Sequence, residues 1–252
     1  MSLAVKKLLN AIAITAILAL LYVILYFIVG NELIIASPIL VIEEIFNLFL
    51  SGDFYVSLAN TLLRVVVVFA ISFVLAVIFG VISSKNKVFE RVLTVISSFM
   101  RSLPTLAVLL IILVAVSTLA SRDFAPVIVS FLSLFPMLYT SILAGINKVN
   151  GSLGDMVKVY KIPLFKSVTR VYMPSMAKRL IIDSTTALSF ALKLVVSAEI
   201  LANVFKSIGG LMQTASIYSS TAELTALTIL VCFIGLIIEL IGKFFAQNFG
   251  EN

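Results

Sequence analysis

Residues 57–82 read SLANTLLRVVVVFAISFVLAVIFGVI, an unbroken apolar run in which Arg64 is the one charged residue. About 20 such residues make a helix long enough to cross the hydrocarbon core of a bilayer. A barrel strand would alternate polar and apolar positions over about ten residues, and this run does not. Similar runs lie near 8–29, 92–119, 124–146, 180–205 and 222–245, and no seventh run is long enough to compete. The whole chain of 252 residues is 62% hydrophobic and 12% charged, with a mean hydropathy of +1.21. A soluble domain sits near half apolar and about a quarter charged. The expected fold is therefore all-α, a polytopic membrane protein of about six transmembrane helices, with an N-terminal helix in 1–34 added to a five-helix core in 35–252.

The cations set the orientation, because Lys and Arg in short loops stay on the cytoplasmic side. With the N-terminus inside, Lys6, Lys7, Lys85, Lys87, Arg91, the run of cations from Lys148 to Arg179, and Lys243 all face the cytoplasm. The external segments hold only Arg122 and Lys206, together with the acids Glu32, Glu43, Glu44, Asp53 and Asp123. Both termini are thus expected inside the cell, in a multi-pass protein of the cell membrane. The same rule accounts for the net charge of +6, so no nucleic-acid partner is expected. The first run exceeds the apolar region of a signal peptide and has no small-residue cleavage site, so it reads as an anchor.

Catalytic chemistry finds no purchase here. Histidine is absent and Cys232 is the single cysteine, which removes the usual metal ligands, general bases and disulfides. There is no nucleophile elbow and no phosphate-binding loop. The chain reads as a non-enzyme without a cofactor or metal of its own, and any ATP hydrolysis must belong to another chain. Trp is absent too, leaving Tyr55 and Tyr218 as interfacial aromatics.

Charges inside spans are expensive and mark function by default. Lys193 sits near the middle of the fifth run, and helical spacing gathers Thr186, Ser189, Lys193 and Ser197 on one face. That stripe can line a translocation path, its cation favouring an anionic or polar solute. The competing reading is a packing role in which Lys193 pairs with an acid or carbonyl on another helix. Glu199 is not its same-helix partner, since it lies about 240° around the axis. Arg64 and Arg101 lie near span ends, where they snorkel to the interface, and Glu199 is expected to pair or cap inside the bundle. Gly209-Gly210 reads as an external turn exploiting positive φ, and Pro38, Pro104, Pro126 and Pro136 as loop edges or kinks.

Between the fourth and fifth runs lies a basic, helix-compatible island, GSLGDMVKVYKIPLFKSVTRVYMP, residues 151–174. Its spacing resembles the cytoplasmic loop of binding-protein-dependent ATP-binding-cassette importer permeases of type I. In that family the loop reads Glu-Ala-Ala, then Gly, then an apolar residue and Leu-Pro. Asp155, Met156 and Val157 fall on the first three positions, Lys161 on the glycine, Val171 on the apolar residue and Met173-Pro174 on the last pair. Ser57-Leu58, Arg64, Arg101-Ser102-Leu103-Pro104, Ala198-Glu199 and Gly209-Gly210-Leu211 resemble the nitrate/sulfonate/taurine branch of the family. The loop departs from the pattern most at Lys161, where glycine would allow a tight left-handed turn. Pro163 offers a helix break two residues later.

The resemblance implies a permease subunit whose 147–178 loop docks into a cytoplasmic ATPase. Val157, Tyr160, Ile162, Leu164 and Phe165 would fill a groove, and Lys158, Lys161 and Lys166 would form the rim. It implies a second permease copy as a homodimer, an ATPase dimer that binds ATP and magnesium, and an external solute-binding protein. Taken without the resemblance, the same loop also suits a basic connector lying on lipid headgroups. The rival function is an ion-gradient-driven secondary carrier or channel, with a non-transporting scaffold behind it. A carrier would show inverted repeats or broken helices.

Overall fold

A computed structural model describes the backbone of Ile17 and of residues 19–119, 122–160 and 162–248; within these, the side chains of 116–122, 149–158, 164–165, 168–169 and 248 are left undescribed. Helices follow one another almost without loops: α1 (Ala19–Val29), α2 (Pro38–Leu50), α3 (Gly52–Lys85), α4 (Lys87–Ser102) and α5 (Thr105–Leu119). A 3-10 turn at Arg122–Phe124 leads into α6 (Ala125–Val159). Then come α7 (Leu164–Ser167), a π-helical turn at Val168–Tyr172, α8 (Met173–Ser175), α9 (Ala177–Ala202), α10 (Ile208–Ile217) and α11 (Thr221–Asn248). No strand occurs among the described residues.

Four helices, α3, α6, α9 and α11, are individually long and apolar enough to cross a membrane. The run at 92–119, expected as one span, is two helices, α4 and α5, bent by 91°. Pro104 causes the break, because its ring pushes the preceding residue out of the helical region, and Leu103 is accordingly extended at φ −66, ψ 130. Counting the bent pair gives up to five spans among the described residues. The N-terminal span is described only as α1, so its beginning lies outside them. The short helices α2 and α10 were not foreseen; Pro38 starts α2, where a missing N–H costs nothing.

Alternation of the spans defines two ends. One, the α10 end, holds the start of α3, α6 and α11 and the α9–α10 connection. The other, the loop end, holds the α3–α4 corner and residues 160–176.

Lipid gives helices no hydrophobic reason to associate, so close approach through small side chains must do so. On α3 the buried positions Thr61, Val65, Val68, Ser72, Ala76, Gly80 and Ser83 recur every three or four residues, forming one inward stripe that meets chiefly α6. A Cβ on Gly80 would stand 3.1 Å from Ile142 Cγ2. Ser83 and the fully buried Tyr139 share a hydrogen bond of 2.8 Å. Helices α9 and α11 meet in the same way: a Cβ on Gly235 would stand 3.1 Å from Ser189 Oγ, and one on Gly242 would overlap the Thr185 side chain. Gly242→Leu should therefore part α9 from α11, costing about 1–3 kcal/mol. Thermal unfolding in detergent checks this, and an unchanged midpoint would show that the two helices do not depend on that contact.

Candidate functional site

Glu199, near the α10 end of α9, is fully buried, and three donors meet its carboxylate. Thr61 Oγ1 lies 3.1 Å from Oε1 and 2.9 Å from Oε2. Arg64 Nη1 donates to Oε1 at 2.9 Å, and the Gly209 amide donates to Oε2 at 3.2 Å. Thr61 Oγ1 also accepts the Ile208 amide at 3.0 Å, while Ser207 Oγ accepts the Gly210 amide at 2.9 Å. The first amides of α10, which no helix can satisfy internally, are thus met by α3, α9 and the capping serine. Arg64 Nη2 reaches outward to Asp123 at 3.4 Å.

Two expectations change here. Arg64 does not snorkel: its side chain is 15% exposed and held between two carboxylates. Gly209 and Gly210 are not a positive-φ turn; they lie inside α10, and the only glycine with positive φ among the described residues is Gly30. They are small because the backbone is crowded. A Cβ on Gly209 would fall on Glu199 Cβ and within 2.7 Å of Ile200 N and Val196 O, and one on Gly210 would collide with the Val204 carbonyl. Glu199 itself pairs and caps inside the bundle, as its sequence context suggested.

Lys193 lies on the other side of α9. It is exposed, and so are Ile182, Thr186, Phe190, Ser197 and Leu201, which together form one stripe along the helix. Ser189 does not belong to it. At about 100° per residue it is turned some 40° from Lys193 away from Thr186 and Ser197, and it is buried beside Gly235, whose missing Cβ admits α11. Among the described residues Lys193 has no ion-pair or hydrogen-bond partner. An ammonium facing hydrocarbon at a span's middle costs about 3 kcal/mol or more, so this face is built to be covered or wetted.

At the loop end α6 runs 35 residues, or about 52 Å, against a hydrocarbon core of about 30 Å. Its spanning part is Ala125–Lys148, so the remainder, which carries Asp155, Met156, Val157 and Lys158, continues past the apolar segment. Those four side chains and Lys161 fall outside the described residues. The helix ends at Val159, and the chain is non-helical at Tyr160, Ile162 and Pro163. Val159 and Tyr160 are 75% and 72% exposed. Ile162, expected on the presented surface, instead packs with Val171 and Met173 against the bundle core, and Pro174 is exposed.

A polar link that sequence reasoning missed joins the helices on either side of this loop. Ser141 of α6 donates to Asp183 of α9, which Arg179 also meets at 3.3 Å. Nearby, a Cβ on Gly145 would collide with the buried Met176 at the start of α9. Asp183 at a span boundary was the only signal in the sequence.

The pattern of the family described as "Binding-protein-dependent transport system inner membrane component" matches residues 72–251. Among solved structures, the chain is similar to one of a bacterial ABC transporter involved in the import of the acidic polysaccharide alginate. That likeness has a TM-score of 0.69 at 15% identity, covering 98% of this chain and 97% of that one. It is also similar to one of a bacterial alginate ABC transporter in complex with an alginate pentasaccharide-bound periplasmic protein, with a TM-score of 0.67 at 14% identity, covering 98% and 96%. At these identities both likenesses concern the fold. No curated protein matches the chain by sequence.

Removing one side of a buried ion pair leaves the other charge stranded, at about 3–5 kcal/mol. Glu199→Ala should cost that much in detergent unfolding, since it strands Arg64, Thr61 and the Gly209 amide together. Glu199→Gln, which keeps the shape and one acceptor oxygen, should cost clearly less. Equal losses would mean that the cavity, and not the polar network, sets the stability.

Proposed function

The chain belongs to the binding-protein-dependent transport system inner membrane components, and from that membership we propose that its 147–178 loop couples it to a cytoplasmic ATPase. As the permease component of an ABC importer it is a non-catalytic, multi-pass membrane subunit, and ATP hydrolysis belongs to a separate chain. Two copies of the chain face an ATPase dimer that binds ATP and magnesium. ATP binding closes the ATPases and swings the permeases between inward-facing and outward-facing states. The loop end and both termini lie in the cytoplasm, and a solute-binding protein delivers substrate at the α10 end, beside Asp53 and Asp123. The path runs between the copies past Thr186, Lys193 and Ser197, carrying a small anionic or polar solute as in the nitrate/sulfonate/taurine branch.

One observation carries the coupling: α6 outruns the membrane, and its projecting end presents Val159 and Tyr160 to solvent. Apolar and aromatic tips ringed by cations suit a groove on another protein, since such anchors dominate docking energies. Exposed Lys166 and Arg170 add positive charge to the same loop. Asp155, Met156, Val157, Lys158 and Lys161 complete the docking element on this reading, and Pro163, Val171 and Pro174 hold its far limb in place.

Tyr160→Ala, combined with Val159→Asp, should lower ATP hydrolysis by the reconstituted permease–ATPase complex about tenfold while leaving the permease's own unfolding midpoint within about a degree, because both side chains are exposed and support no core. Hydrolysis at the unmodified rate would remove this tip from the coupling path.

A further inference from the structure

We propose that Lys193, presented by two copies of the chain across a shared water-filled cleft, forms a recognition site for anionic solutes. This rests on the permease reading and narrows it, committing to anions where the family membership leaves the solute open. Three features of the single chain point the same way.

First, Lys193 sits well inside its span. At 1.5 Å per residue it stands about 14 Å of helix from Ala202 and about 24 Å from Ala177, farther than its side chain extends. Second, no carboxylate within the described residues neutralises it. Glu199 points about 120° away around α9, engaged by Thr61, Arg64 and Gly209, and Asp183 is engaged by Ser141 and Arg179. Third, two of its neighbours along the exposed stripe are hydroxyls. Thr186 and Ser197 stand about one or two turns away on the same face, while Phe190 supplies an apolar wall between them.

A bare cation with flanking hydroxyl donors is incompatible with lipid and suited to an anion. The occupant of this stripe is a second copy, as in the permease reading on which the site rests: an identical face set opposite would put two ammonium groups in one cleft with the solute as their counter-charge. An anion between them would relieve the repulsion and join the two halves, so that selectivity would arise within the membrane as well as at any external protein.

The test uses the full chain in proteoliposomes, with Cys232→Ser removing the one native thiol and Ser197→Cys placing a reporter one turn from Lys193. The probes are two small methanethiosulfonates, one bearing a sulfonate and one a trimethylammonium group. The site predicts that Ser197→Cys reacts with both, favouring the sulfonate about tenfold over the ratio for a free thiol, and that a flexible bis-methanethiosulfonate able to span the cleft yields a linked dimer. Lys193→Met should abolish the preference, and Lys193→Arg should keep it. A thiol that reacts with neither reagent, a preference unchanged in Lys193→Met, or an absence of linked dimer would each overturn the proposal. None of these readouts involves ATP, so a chain that passes them yet fails to stimulate an ATPase would sink the coupling and leave the anion site standing.

Discussion

A carboxylate sealed from water must be met by donors, and at Glu199 the donors come from two other parts of the bundle: Thr61 and Arg64 from α3, and the Gly209 amide from α10. Remove that carboxylate and Arg64 is left with only Asp123 near the surface, while the start of α10 loses one of the acceptors that hold it against the spans. The glycines complete the arrangement, because any side chain at 209 or 210 would displace the backbone that brings those amides to Glu199. In a protein whose helices meet largely through small residues and apolar contact, this is the one fully buried charge among the described residues, and its geometry leaves little freedom.

The orientation of α9 follows from it. Glu199 and Lys193 point about 120° apart on the helix, so fixing the acid inward turns the lysine outward, away from α3. At the opposite end the Ser141–Asp183 hydrogen bond ties α9 to α6, on the two helices that flank the loop. Held near both ends by polar bonds and along its length by Gly235 and Gly242 of α11, α9 has little room to roll. Motion imposed at the loop would therefore pass to the Lys193 stripe with α6 and α9 moving together, as a permease driven from outside the membrane requires.

Much of this was written legibly. Apolar runs marked α3, α6, α9 and α11, because in lipid every backbone group must be satisfied within the segment and the helix length is set by bilayer thickness. The loop spacing named the family that the chain belongs to. What the sequence concealed depended on distance and direction. Thr61 and Glu199 are 138 positions apart, and nothing local says that they meet. The face assigned to Lys193 was drawn too wide by including Ser189, since periodicity gives an angle but not which neighbour closes off its edge. Gly209-Gly210 invited the reading of a turn because glycine has two uses, positive φ and close approach, and only packing tells them apart. Pro104 announced a kink, but its 91° bend follows from where α5 packs, with Leu109 against Ala125, Val129 and Ala198.

The central claim is that one chain is half of a shared pathway, and that its loop end carries an ATPase. Native mass spectrometry of the complex extracted from its membrane tests both parts at once. The account predicts two copies of the 27.4 kDa chain bound to two ATPase chains. A chain that flies as a monomer, or as a dimer with no nucleotide-hydrolysing partner under conditions that preserve other membrane assemblies, would contradict it.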